Sequence, residues 1–196
     1  MAVDRERVAA LVRELLAAIG EDPERPGLHL TPQRVADAYA EFFSGVGVDP
    51  AAPLAHTISI ARGPAPDTLP SGAVMLRDIR FRSVCEHHLL PFRGHAHIAY
   101  LPGEQVVGLG ALPKVVDILA SRPQVQERLG EQIADTIADS LDARGVLVVL
   151  DASHECVTMR GERQTEASTV TIAARGELSE PAARAELIAL LGAPRG

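Results

Sequence analysis

The residue types best suited to chemistry fall in two short clusters. Cys85, His87 and His88 stand together in Ser83-Val84-Cys85-Glu86-His87-His88, and a second thiol and imidazole stand in His154-Glu155-Cys156. Cys85 and His88 are three apart at the end of a strand-like run, a spacing that lets a thiolate and an imidazole converge on one ion if the chain turns between them. Two ligands hold zinc poorly. Strand alternation through the second cluster puts His154 and Cys156 on one face, so both can point into the same pocket. Three protein ligands plus water make a catalytic zinc site, and a fourth from His87 or His154 would close it into a structural one. A single cysteine or histidine is usually just a small buried group or a surface imidazole. Here both types are concentrated in both clusters, which favours a metal.

The rest of the composition narrows the setting. These are the only two cysteines. Asp4, Arg5, Glu6 and Arg7 precede any apolar stretch and no 18 apolar residues run together, so neither a secretory signal nor a membrane span is expected. A cytoplasmic chain with metal-binding or catalytic cysteines is the expectation. At 196 residues the chain is long enough for one compact domain with an N-terminal extension, and 46% hydrophobic with 23% charged residues suits a globular protein. A formal charge of −7 excludes any overall attraction to nucleic acid or an anionic membrane, so an anionic ligand must be met by a local basic cluster.

The elements that must position the clusters follow from periodicity. Val8, Leu11, Val12, Leu15, Leu16 and Ile19 recur at helical spacing before Gly20. Thr31-Pro32 reads as an N-cap followed by Pro at the first helical position, opening a second helix through Phe42. Residues 45–72 read mostly as connection, with a possible strand at 57–60. Residues 73–84 and 95–101 read as strands joined by a tight Pro91-Phe92-Arg93-Gly94 segment. Helical patterns follow at 112–120 and over Val125, Leu129, Ile133, Ile137 and Leu141, separated by Arg122-Pro123. A strand begins at 146–150 and continues toward Met159, another covers 168–174, and a helix is expected at 181–191. The order strand, strand, helix, helix, strand, strand predicts an α+β domain, a four-stranded antiparallel sheet with two helices on one face. Two sheet edges stay open, which makes oligomerisation through them the expected remedy. The division expected is a helical extension over 1–55 and a catalytic domain over 56–196.

Several ordered motifs together resemble the GTP cyclohydrolase I family. They are Cys85-Glu86-His87-His88-Leu89-Leu90-Pro91-Phe92, Arg122-Pro123-Gln124-Val125-Gln126-Glu127-Arg128-Leu129, His154-Glu155-Cys156-Val157-Thr158-Met159-Arg160-Gly161, Ala167-Ser168-Thr169-Val170-Thr171, and Thr31-Pro32-Gln33-Arg34-Val35-Ala36. The likeness spans roughly residues 5–178. It implies the tunnelling fold, in which such sheets join edge to edge into a barrel, with a homodecamer as the usual assembly. It also implies zinc-dependent hydrolysis of the imidazole ring of GTP at C8, with formate release and formation of 7,8-dihydroneopterin triphosphate.

Carried over position by position, Cys85, His88 and Cys156 resemble the family's zinc ligands. His87 and His154 match its two proton-transferring histidines, a task suited to imidazole near neutrality. Glu127 matches the residue that anchors the guanine edge, with Gln126 beside it in the pocket, although such a run is otherwise an ordinary polar helix face. Arg160 and Arg34 match phosphate contacts. One segment departs from the family. Where the family reads Gly-Leu-Ser-Lys, then two residues, then Arg, this chain reads Gly108-Leu109-Gly110-Ala111-Leu112-Pro113-Lys114, so Lys114 alone keeps a charge there. That departure leaves room for a guanine substrate with fewer phosphates, for a reaction that stops at the ring-opened formamidopyrimidine, or for a non-catalytic purine-binding subunit. The tunnelling fold also hosts a nitrile reductase acting on a deazapurine, but its nucleophilic cysteine conflicts with two cysteines placed as metal ligands.

Overall fold

A computed structural model describes residues 3–60 and 72–191. The connection expected at 45–72 therefore lies partly outside the described residues. Two helices come first, α1 (Arg5–Ala18) and α2 (Thr31–Phe42). Asp4 caps α1 by accepting from the Arg7 N–H. In α2 the cap is Leu30, and Thr31 is already helical, so Pro32 supplies the start signal rather than a threonine cap. A single 3-10 turn (Ala52–Leu54) and the short β1 (Thr57–Ser59) follow.

The main sheet is built from β2 (Val74–Cys85) and β3 (Pro91–Leu101), and β4 (Gln105–Val107) pairs with β1 apart from it. Next come α3 (Ala111–Ala120), the two-residue β5 (Pro123–Gln124), α4 (Gln126–Leu141), β6 (Gly145–His154) and the single-turn α5 (Glu155–Thr158). The chain ends in β7 (Thr169–Gly176), a 3-10 turn (Glu177–Ser179) and α6 (Pro181–Leu191). The sheet order is β5-β2-β3-β6-β7. Its four long strands are antiparallel as expected. The addition is β5, which pairs parallel with β2 at Val84 with Pro123 and Cys85 with Gln124.

One expectation is corrected here. Pro91-Phe92-Arg93-Gly94 is not the turn of the β2–β3 hairpin but the beginning of β3. Pro91 takes the first strand position, where its missing N–H is tolerated. Gly94 is demanded by β6, because a Cβ there would lie 1.9 Å from the Asp151 carbonyl oxygen. The turn falls instead on residues 86–90, beside the metal-type ligands. There Leu89 donates to Cys85 O and Cys85 to Leu90 O, with Leu89 at φ 52°.

Both α3 and α4 cover one face of the sheet. Leu112, Val115, Val116 and Leu119 from α3 and Leu129, Ile133 and Ile137 from α4 pack with Phe81, Phe92, Ile98, Val148 and Leu150 in one core. The large hydrophobic surface removed from water by this layer is what holds the strands in register. Among the described residues, the other face is covered at one end, where Leu178 packs on Ala99, Leu147 and Val149, flanked by Leu187, Ile188 and Leu191. Among the described residues, no helix is long and apolar enough to cross a membrane.

Candidate functional site

Cys85 ends β2, His88 lies in the turn after it, and Cys156 lies in α5 immediately after β6. Their ligand atoms all fall within 4.8 Å of one another. The expectation that β6 runs on toward Met159 is corrected. The strand stops at His154 and the chain coils into α5, so Cys156 reaches the cluster from a helical turn, not by strand alternation. Tetrahedral zinc bonded to sulfur and nitrogen sets ligand–ligand separations of about 3.5–3.8 Å, so a small closure of the three donors suffices to hold the ion. Burial, then the neighbouring Cys85 sulfur, push the Cys156 thiol up from its ordinary value. A cation between the sulfurs reverses that penalty, since thiolates are its ligands. Two thiols and an imidazole thus fit zinc in number and softness.

Secondary contacts fix the turn that carries these donors. Glu86 donates its N–H to Gln124 O at 3.0 Å, joining the turn to β5. Its carboxylate pairs with Arg128, and that hydrogen bond holds the carboxyl below its ordinary value. Arg128 also donates to the Gln124 side chain, whose amide in turn donates to Leu119 O. The polar run at the start of α4 is therefore partly a brace for the metal-type turn. His87 is exposed, with its ring centroid 6.4 Å from that of His88.

His154, the last residue of β6, is set differently. Its ring lies flat on Phe92, centroids 4.6 Å apart and planes 4° from parallel. Its Nε2 meets Gln126 Oε1 at 2.7 Å. Burial holds the imidazole below its ordinary value, with the Glu127 carboxylate acting in the opposite direction. Glu127 faces an open cleft of about 240 Å³, shared with Gly130, Glu131, Thr171, Ile172 and Ala173 between α4 and β7.

Arg160 lies close enough to Cys156 to favour its thiolate. Arg34 and Lys114 stand exposed on α2 and α3, and neither bonds to the Cys85, His88 and Cys156 group among the described residues. Arg175 is committed to Asp135 and Glu131, which raise its already high pKa further. A larger concavity of about 850 Å³ is lined in part by Arg80, Arg82, Arg93, His95 and Asp151 from the sheet and by Asp117 of α3. It contains none of the metal-type donors.

Sequence reasoning had no means of finding the commitment of Gln126. The residue is 1% exposed and its amide nitrogen lies against Leu150 O, Thr169 O and Thr171 Oγ1. Two of these three partners are in β7, paired to the site only through the sheet.

Fold and site together define the class: an α+β chain with a Cys-His-Cys group able to hold a metal where two of its strands end. Known proteins give the family. The model of the family described as GTP cyclohydrolase I matches residues 8–192. The GTP cyclohydrolase 1 of Leifsonia xyli subsp. xyli is 65% identical over 189 residues, covering 96% of each chain. That of Streptomyces griseus is 46% identical, covering 97% of this chain and 92% of its own. That of Bacillus subtilis is 48% identical, covering 95% of each. Among solved structures, the apo form of the archaeosine synthase QueF-Like matches 56% of this chain and 97% of its own, with a TM-score of 0.46 and 19% identity. The chain belongs to the GTP cyclohydrolase I family.

Proposed function

We propose that this chain hydrolyses the guanine imidazole ring of GTP at C8, releasing formate and leading to 7,8-dihydroneopterin triphosphate, with Cys85, His88 and Cys156 holding a zinc ion. The observation that carries the reading is the convergence of those three side chains, from two strand ends far apart in sequence, in a member of this family. Bound there, zinc supplies Lewis acidity that brings the pKa of a water close to neutrality.

The chain's own residues do the rest. Glu127, at the mouth of its cleft, accepts from the guanine ring N–H and exocyclic amine and so fixes the purine edge. His87, exposed beside His88, donates a proton to the imidazole of the substrate as it opens. His154, seated on Phe92, gives and takes protons during ring opening and the later steps. Burial favours its neutral form, the form able to accept a proton. Arg160 and Arg34 meet the phosphates, with Lys114 as the remaining cation of the altered segment.

The assembly belongs to the proposal as well. Along the edge strand β7, Val170 and Ile172 are 56% and 49% exposed, apolar groups that an edge-to-edge partner would cover. We take the working form to be a homo-oligomer, a decamer as the family resemblance implies, in the cytoplasm. Residues 1–55 serve as a helical extension and 56–196 as the catalytic domain.

The test is incubation of zinc-loaded protein with GTP, GDP, GMP and guanosine, with formate assay and mass identification of products. GTP is expected to give equal amounts of formate and dihydroneopterin triphosphate. Binding of the nucleotides with no formate from any of them would overturn the proposal.

A further inference from the structure

We infer that Gln126 is a positioning residue that fixes the tautomer and plane of His154, not a direct contact for the substrate. The inference rests on the reading of His154 as a proton-transferring group. Gln126 opens α4 and is buried, and its side chain reaches both β6 and β7. The two ends of a glutamine amide have the same shape, so their partners decide which is which. One end lies 3.1 Å from Leu150 O and 2.8 Å from Thr169 O. Carbonyl oxygens only accept, so that end must be the NH₂. The Thr171 hydroxyl oxygen, 3.2 Å away, is a third acceptor for the two hydrogens.

Orientation then passes to the histidine. The other end of the amide is an oxygen, 2.7 Å from His154 Nε2. An amide oxygen cannot donate, so Nε2 carries a hydrogen. A neutral imidazole has only one N–H, which leaves Nδ1 bare as the acceptor. A proton exchanged with substrate therefore passes through Nδ1. The flat stack on fully buried Phe92 holds the ring plane while this happens. Both hydrogens of the Gln126 amide are spent within the fold, so it has no donor left for a guanine.

Steady-state kinetics with GTP on zinc-loaded Gln126→Met, His154→Ala and the double variant test this. Gln126→Met is expected to lower kcat by about 10- to 100-fold, taken from the cost of removing a partner that orients a metal-bound histidine, with KM within about twofold. In the His154→Ala background the same change should cost almost nothing more, because the two residues act as a unit. If His154→Ala leaves too little turnover to measure, the split between kcat and KM in Gln126→Met decides. A rise in KM with kcat held, or an undiminished further loss in the His154→Ala background, would overturn the inference while leaving the role of His154 intact. Full turnover in His154→Ala alone would sink that role and the inference with it. Should Gln126→Met not fold and load zinc, Gln126→Asn, whose shorter amide cannot reach the carbonyls and the ring together, is judged by the same readouts.

Discussion

The sheet ends in two different ways. Where β6 begins and β7 finishes, polar groups are answered within the fold. Arg144 donates to both oxygens of Glu177 and to Pro102 O, and Glu177 returns its N–H to Arg144 O. Packing there is so close that a Cβ on Gly176, at φ 55°, would lie 2.1 Å from Arg144 O. Where β2 and β6 finish, the thiols of Cys85 and Cys156 face each other, and His87 and His88 make no hydrogen bond among the described residues. One end spends its polar groups on holding the fold. The other braces its turn through Glu86 with Arg128 and Gln124 with Leu119 O, holds His154 through Gln126 and Phe92, and leaves the His87 and His88 imidazoles uncommitted among the described residues. The contrast teaches that stability and reactivity are separable here.

That separation predicts opposite phenotypes. The largest effect is expected from Cys156→Ala, which should abolish turnover, at least about 10³-fold below wild type, by removing a proposed metal ligand. His87→Ala should lose turnover by about 10²- to 10⁴-fold, the range for removing a general acid or base. Glu127→Ala should act mainly on KM, raising it by about tenfold to hundredfold as a charged hydrogen-bond acceptor is lost. These three are read in steady-state assays with GTP, and thermal midpoints close to wild type in His87→Ala and Glu127→Ala, with Cys156→Ala lowered only by the loss of its ion, would sharpen the comparison.

At the opposite end the sign reverses. Gly176→Ala puts a Cβ into a backbone contact at positive φ and should cost about 1–3 kcal/mol of stability, with kcat per folded molecule unchanged. Denaturant titration beside kinetics reads both, and a lowered kcat would break the comparison. The smallest effect concerns His97, whose Nδ1 accepts the Asp78 N–H at 3.2 Å. Burial holds its pKa below the ordinary value, helped by His95 and Arg77 and opposed by Asp78 and Asp151. Below about pH 6.5 the unfolded chain binds more protons than the folded one, so stability should fall as pH drops through that window. Thermal midpoints between pH 7.5 and 5.5 should decline less steeply in His97→Gln than in wild type.

Much of this arrangement was legible in the sequence because it depends on local spacing. The apolar period of α4, the runs of β2 and β6, and the Cys and His types at their ends all report themselves in a few consecutive residues. What stayed hidden is non-local. Nothing near Pro123 announces that β5 pairs with the end of β2. Pro91 and Gly94 look like turn residues, yet the first starts a strand and the second makes room for β6. Gln126 looks like one more polar residue on a helix, and its two β7 partners lie more than forty residues away.

The most direct test of the central claim, that metal binding and proton transfer fall on different residues of one site, is the zinc content of purified Cys156→Ala and His87→Ala measured side by side. Cys156→Ala is expected to lose its zinc, while wild type and His87→Ala are each expected to hold about one ion per chain. Loss of zinc from His87→Ala would move that residue into the ligand set and contradict the account.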